Sequence, residues 1–136
     1  MSTAYYLAGR FSRRDELAGY ARQIEAAGDY VTSRWLTGAH DAHSERDLTS
    51  EELRAFAMED LEDIHGSSGF ILFTESPDAG YTSGGRMVEF GWALVYSQIR
   101  PENLLICGPH ENVFTQLARE QYDTWAELAA AKGWKS

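Results

Sequence analysis

Cysteine is almost missing: Cys107 is the single one in 136 residues. That excludes an internal disulfide framework and a cysteine-rich zinc site. Cys107 follows the apolar run Leu104, Leu105 and Ile106, which points to a buried, inert thiol. There is no apolar run of about 18 residues and no signal-peptide pattern. The chain is therefore expected to be soluble and cytoplasmic, with no membrane partner. Positive charge is also scarce. Twelve Lys and Arg against 21 Asp and Glu leave a net charge of −9. This argues against a nucleic-acid polymer as partner, since gripping a phosphate backbone needs clustered cations. A small anion stays open, because a local cationic pocket suffices and Arg10, Arg13 and Arg14 cluster in GRFSRR. Repeats, low-complexity tracts and linkers are absent, so residues 1–136 are expected to form a single domain. A chain of this size buries roughly two-thirds of its unfolded surface.

Short apolar strands alternate with helical patterns. Strands are expected at 4–8, near 29–33, at 69–73 and at 103–107. Ser12, with Asp15 behind it, reads as a helix N-cap. Leu17, Tyr20, Ala21 and Ile24 then share one helical face, and Gly28 is a plausible stop. Thr49 and Glu52 make a capping-box pattern before a helix over 50–66. Further helices are expected at 85–99 and within DTWAELAAAKGW at the end, where Trp125 and Trp134 would anchor the last helix. Loops cover 36–47 and 74–84, and GPHENVFTQL is a loop with room for a short strand or turn. The alternation implies an α/β fold: a Rossmann/flavodoxin-like three-layer domain with a mostly parallel sheet of about four to five strands. Ligands in such sheets sit at the carboxyl ends of the strands. The loop 74–84 is long for a strand–helix connection, which favours a functional role.

Two acids stand out. Helix 50–66 has an apolar stripe of Leu53, Phe56, Ala57, Leu61 and Ile64, and Asp60 falls on or beside it. A carboxylate there must be hydrogen-bonded or serve a site. Glu59, Glu62 and Asp63 read as the solvated face. Glu89 lies near the start of a helix whose one side is Val88, Trp92, Val95 and Ile99. The helix dipole would keep it ionised, as suits a nucleophile; a surface acid chosen for that dipole is the plainer reading. Gly84, Gly85 and Gly91 leave backbone room around it, at a cost in helix propensity. SGGR is a possible anion cradle, but the Walker Lys-Ser/Thr and the dinucleotide glycine fingerprint are both missing, which argues against classical ATP or NAD binding. Tyr5 and Tyr6 alternate faces on the first strand, so one can present its hydroxyl while the other packs. His40, Asp41 and His43 have metal-like spacing but read as solvated loop residues. His65 and His110 are isolated.

Three pieces, in order, resemble the nucleoside 2-deoxyribosyltransferase superfamily, which includes the 2'-deoxynucleoside 5'-phosphate N-hydrolases. They are YYLAGRFSRR at the start, EDLEDI at 59–64 and SGGRMVEFGWAL at 83–94. The resemblance implies cleavage of an N-glycosidic bond in a nucleoside or its 5'-monophosphate, with hydrolysis or transfer to another base. It implies Glu89 as nucleophile, Asp60 as proton donor or positioner near the base, and Tyr6 as the residue that orients Glu89. Ser83 stands where free-nucleoside transferases often carry Asp and the 5'-phosphate hydrolases use Ser. Ser83, Gly84 and Gly85 would hold a 5'-phosphate or hydroxyl, together with Gly9 and Arg10 in the turn after the first strand. Arg34 and Trp35 would border the base. No metal or organic cofactor is implied, and a homo-oligomer, a dimer or higher, is expected. The alternative is a non-catalytic nucleotide-binding module of the same fold.

Overall fold

Strand β1 (Ala4–Ala8) is flanked by β2 (Tyr30–Val31) on one side and β3 (Gly69–Phe73) on the other. Strands β4 (Leu104–Cys107) and β5 (Glu120–Tyr122) follow outward from β3. All five are parallel, in the order β2-β1-β3-β4-β5. The structure is a computed structural model that describes residues 2–37, 48–79 and 84–134. Strands β3 and β4 are buried throughout, as unbroken apolar runs in a parallel sheet should be. Their register sets Tyr6 beside Phe70, and Phe70 beside Leu104.

Helices α1 (Arg14–Ala26), α2 (Ser50–His65), α3 (Gly85–Tyr96) and α4 (Trp125–Lys132) complete the layers. Right-handed crossovers put α1 on one face and α2 with α3 on the other; α4 joins α1 through Trp125, which stacks on Tyr20 at 4.3 Å. The capping box of α2 forms as its sequence predicts, with Thr49 and Glu52 exchanging hydrogen bonds. Gly28 has φ 98°, the left-handed backbone that ends α1. Burial raises the Cys107 thiol to about 11, so it is inert at neutral pH. Among the described residues, no helix is long and apolar enough to cross a membrane.

Several expectations need correction. Ser12 is not the cap of α1, because a short 3-10 turn (Phe11–Arg13) leads into the helix with Arg13 at the cap position. GPHENVFTQL holds a 3-10 turn at Val113–Leu117, one of the two forms expected there, but β5 lies beyond it at Glu120–Tyr122, where no strand was expected. Its three half-buried residues carry no apolar run to reveal it. The inner face of α3 is Arg86, Phe90 and Ala93, while Val88 and Val95 are exposed. On α2, Asp63 is buried and Ala57 is exposed.

Candidate active site

The strand order reverses direction between β1 and β3, the point where flavodoxin-like sheets take their ligands. Tyr6 stands on β1 at the α2–α3 face. It is fully buried and its ring stacks on Phe70 at 5.6 Å. Its hydroxyl donates to Glu89 Oε2 at 2.6 Å, a short charge-assisted bond if the carboxyl is ionised. Glu89 projects from α3, one turn inside its start. Asp60 approaches from α2, and the two carboxyls interact by charge and by a hydrogen bond. Strand β1, α2 and α3 thus each deliver one member of a single cluster.

The electrostatics differ from the sequence expectation. Glu89 is not held ionised by the helix start. Burial raises it to about 8, with the Asp60 charge adding to the rise and the Tyr6 hydrogen bond opposing it. Burial likewise raises Asp60 to about 7; its bond to Glu89 opposes the rise, and Asp63 and Glu59 add to it. Two half-buried carboxyls so placed titrate as a pair and hold about one proton between them near neutrality. Tyr6 is pushed well above the ordinary phenol range, by burial first and then by Glu89 and Asp60. It therefore stays a hydrogen-bond donor.

Arg34 is half-exposed and paired along α2. Its Nε donates to Asp63 Oδ1 at 2.8 Å, its Nη2 contacts Glu62 at 3.2 Å, and its backbone N–H donates to Asp63 Oδ2 at 3.0 Å. It grips the turns of α2 around Asp60. Asp63, expected on the solvated face, is buried to receive it. Trp35 is also a core residue. It is 6% exposed and its indole N–H donates to the Leu7 carbonyl at 2.8 Å. A side chain so enclosed does not offer its face to a base.

The arginine cluster after β1 is largely engaged internally. Arg13 pairs with Glu16 at 2.8 Å and with Glu75 at 3.0 Å, and Arg14 donates to the Leu36 carbonyl at 2.9 Å. Arg10 lies half-buried in the turn ahead of α1. Gly9 is a packing glycine, since a Cβ there would meet Leu17 at 2.9 Å and Phe73 at 3.4 Å. Around Gly84, Gly85 and Gly91 the reverse holds. A Cβ would meet nothing within 4 Å among the described residues, so the fold of the single chain does not require glycine there. Ser83, His40, Asp41 and His43 lie outside the described residues. Among the described residues, no group of three His, Cys, Asp or Glu is placed to hold a metal ion.

Sequence reasoning missed two contacts. Trp92 donates to His65 Nε2 at 2.7 Å, tying α3 to α2. Arg86, 5% exposed, forms a forked pair with Glu111 at 2.6 Å for each arm. An arginine in the first turn of a helix opposes the dipole, and that was the available signal.

The sequence matches no protein-family model and no curated protein sequence. Similar solved structures include the following two. One is a 2-deoxyribosyltransferase from the psychrotolerant bacterium Bacillus psychrosaccharolyticus, with TM-score 0.69 and 15% identity, covering 92% of this chain and 89% of that one. The other is a CMP N-glycosidase of Clostridium botulinum, with TM-score 0.54 and 14% identity, covering 96% of this chain and 97% of that one. At these identities the likeness establishes the fold: the chain has the parallel α/β architecture seen in a 2-deoxyribosyltransferase and a CMP N-glycosidase.

Proposed function

We propose that the protein cleaves the N-glycosidic bond of a nucleoside or its 5'-monophosphate. The observation that carries this reading is the triad: the hydroxyl of a fully buried tyrosine 2.6 Å from Glu89, with Asp60 against the same carboxyl. One proton shared by two half-buried carboxyls supplies both chemical roles at once. The favoured arrangement leaves the proton on Glu89; the productive form is the other one, with Glu89 ionised and steadied by Tyr6 and Asp60 carrying the proton. Glu89 attacks the anomeric carbon as the carbon–nitrogen bond breaks. The bonding pair leaves with the base, which takes the proton of Asp60. A glycosyl ester on Glu89 results, as in retaining glycoside chemistry. Water, or a second base, then attacks the anomeric carbon; its bond to Glu89 breaks, the electron pair returning to the carboxylate, and Asp60 takes up the proton of the nucleophile. The likeness to two enzymes whose names carry deoxyribosyl transfer and CMP N-glycoside cleavage supports the substrate class. The exposed glycines at the start of α3 leave space for the 5' group of the substrate, with Ser83 and Arg10 as its further partners.

The test is incubation of the purified protein with a panel of nucleosides, deoxynucleosides and their monophosphates, with and without an acceptor base. Free base is followed by chromatography. Release by wild type and loss in Glu89→Gln is expected. No release from any member, or full activity in Glu89→Gln, overturns the reading. Equal turnover of nucleoside and monophosphate would remove the phosphate role of Ser83 and Arg10.

We also propose a homo-oligomer. Helix α3 is apolar on both sides: Phe90 and Ala93 face the sheet, while Val88, Val95 and Tyr96 are 65%, 70% and 65% exposed. A helix apolar all round is a buried helix. Light scattering is expected to give a dimer or higher, and Val88→Glu with Val95→Glu to give a monomer. A monomeric wild type sinks this.

A further inference from the structure

Arg86 is the second residue of α3, one turn before Glu89, and its side chain is 3% exposed. A cation in the first turn works against the helix dipole. Burial adds to that cost, and its Nε has no hydrogen-bond partner among the described residues. Something must offset both. Its two terminal nitrogens donate to the two carboxylate oxygens of Glu111, each at 2.6 Å. This fork fixes orientation as well as distance.

Glu111 is itself held. Its Oε1 accepts the backbone N–H of Glu75 at 2.9 Å, and its own N–H donates to Thr115 Oγ1 at 3.1 Å. Thr115 is fully buried and is capped by Asn112. Glu75 in turn receives Arg13 from the start of α1. A continuous set of polar contacts therefore joins the segments leaving β1, β3 and β4 to the first turn of α3. Glu89 projects from α3 one turn further on.

We propose that Arg86 and Glu111 are positioning residues for Glu89: their buried pair fixes the first turn of α3 against the segments that follow β3 and β4, and so holds Glu89 within reach of Tyr6 and the sugar. The catalytic part of this rests on Glu89 being the nucleophile; the geometric part does not.

The test uses Glu111→Gln, which keeps the shape and the acceptor for the Glu75 N–H but removes the charge. Tyrosine labelled with 13C at Cζ reports the Tyr6–Glu89 hydrogen bond, with the Tyr6 signal assigned by Tyr6→Phe. In Glu111→Gln that signal is expected to move in the direction it takes in Glu89→Gln. Base release is expected to lose roughly 10- to 100-fold in kcat, as small misplacements of a reacting group do. KM should stay within about threefold, since no substrate contact is removed. Arg86→Lys, which keeps the charge and loses the fork, should show the same pattern more weakly. A Tyr6 signal at its wild-type position in both variants overturns the proposal, whatever the activity. Failure of both variants to fold also overturns it, by making the pair a folding element. If wild type releases no base and the Tyr6 signal still moves, the positioning stands and the glycosidase reading fails.

Discussion

The two faces of the sheet are built on opposite principles. On the α1–α4 face, Trp125 stacks between Tyr20 at 4.3 Å and Trp134 at 5.6 Å, and Trp134 meets Tyr5 edge-on at 5.1 Å. Both indole N–H groups have partners, Gln23 at 2.9 Å and Asp29 at 2.9 Å. The acid there, Glu16, is held below the ordinary carboxylate range by its bond to Arg13. On the α2–α3 face, Asp60 and Glu89 are half-buried against each other and raised, and the outer side of α3 is apolar and exposed. On the first face the indole N–H groups and the paired acid are satisfied. The other carries unfavourable electrostatics, as active sites do.

The largest expected effect separates the faces outright. Glu89→Gln should cost on the order of 10⁴-fold or more in kcat, the scale seen when a nucleophile is removed. It should also raise the melting temperature by roughly 2–8 °C, the shift that about 1 kcal/mol produces in this size range, because the charge repulsion between two closely placed, half-buried carboxyls is removed. Trp125→Ala should do the reverse, losing about 3–5 kcal/mol of stability with kcat intact at a permissive temperature. Differential scanning calorimetry beside base-release kinetics measures both. A Glu89→Gln that melts lower than wild type would break the comparison.

A smaller effect is the pH dependence of stability. Asp60 and Glu89 have folded values near 7 and 8, above their unfolded values. Between about pH 4 and 8 the native state therefore binds more protons than the unfolded state, and stability falls as pH rises. Glu16 has the opposite sign: its contribution is present at neutral pH and is lost as pH falls through its lowered folded value. Denaturant melts from pH 5 to 8 should show declining stability in wild type and a flatter line in Asp60→Asn. A wild-type line as flat as the variant's would show that the pair is not raised.

What could be read from the sequence follows the same division. The strands at Ala4–Ala8, Gly69–Phe73 and Leu104–Cys107 are apolar runs, and each was placed within a residue. Thr49 and Glu52 announce α2 by local chemistry, and the anchoring tryptophans are large apolar residues with nowhere else to go. Asp60 was visible as a polar residue on an apolar stripe. The rest depended on distant pairing. Asp63 looks solvated by helical spacing until Arg34 arrives from the turn after β2, 29 positions away. Arg86 looks like an exposed start to a helix until Glu111 arrives from beyond β4, 25 positions away. The outward stripe of α3, Val88 with Val95, has the spacing of a core face, and periodicity cannot say which partner covers it. β5 is short and half-polar, so no pattern marks it.

Tyr6→Phe is the mildest and sharpest probe of the reactive face. The substitution removes one oxygen from a buried ring whose stacking on Phe70 is unaffected, so the melting temperature should change little. What is lost is a hydrogen bond that opposes the rise of Glu89. Without it the ionised form of Glu89 is harder to reach, and the acid limb of the pH–rate profile should move upward. That limb reports formation of the singly charged pair, while the alkaline limb reports loss of the proton on Asp60. At neutral pH kcat should fall about tenfold, which corresponds to roughly 1.4 kcal/mol, the scale of one charge-assisted hydrogen bond. An acid limb that stays in place would mean that Tyr6 does not steady the ionised carboxylate. The distinction between the faces would then rest on burial and carboxyl pairing alone.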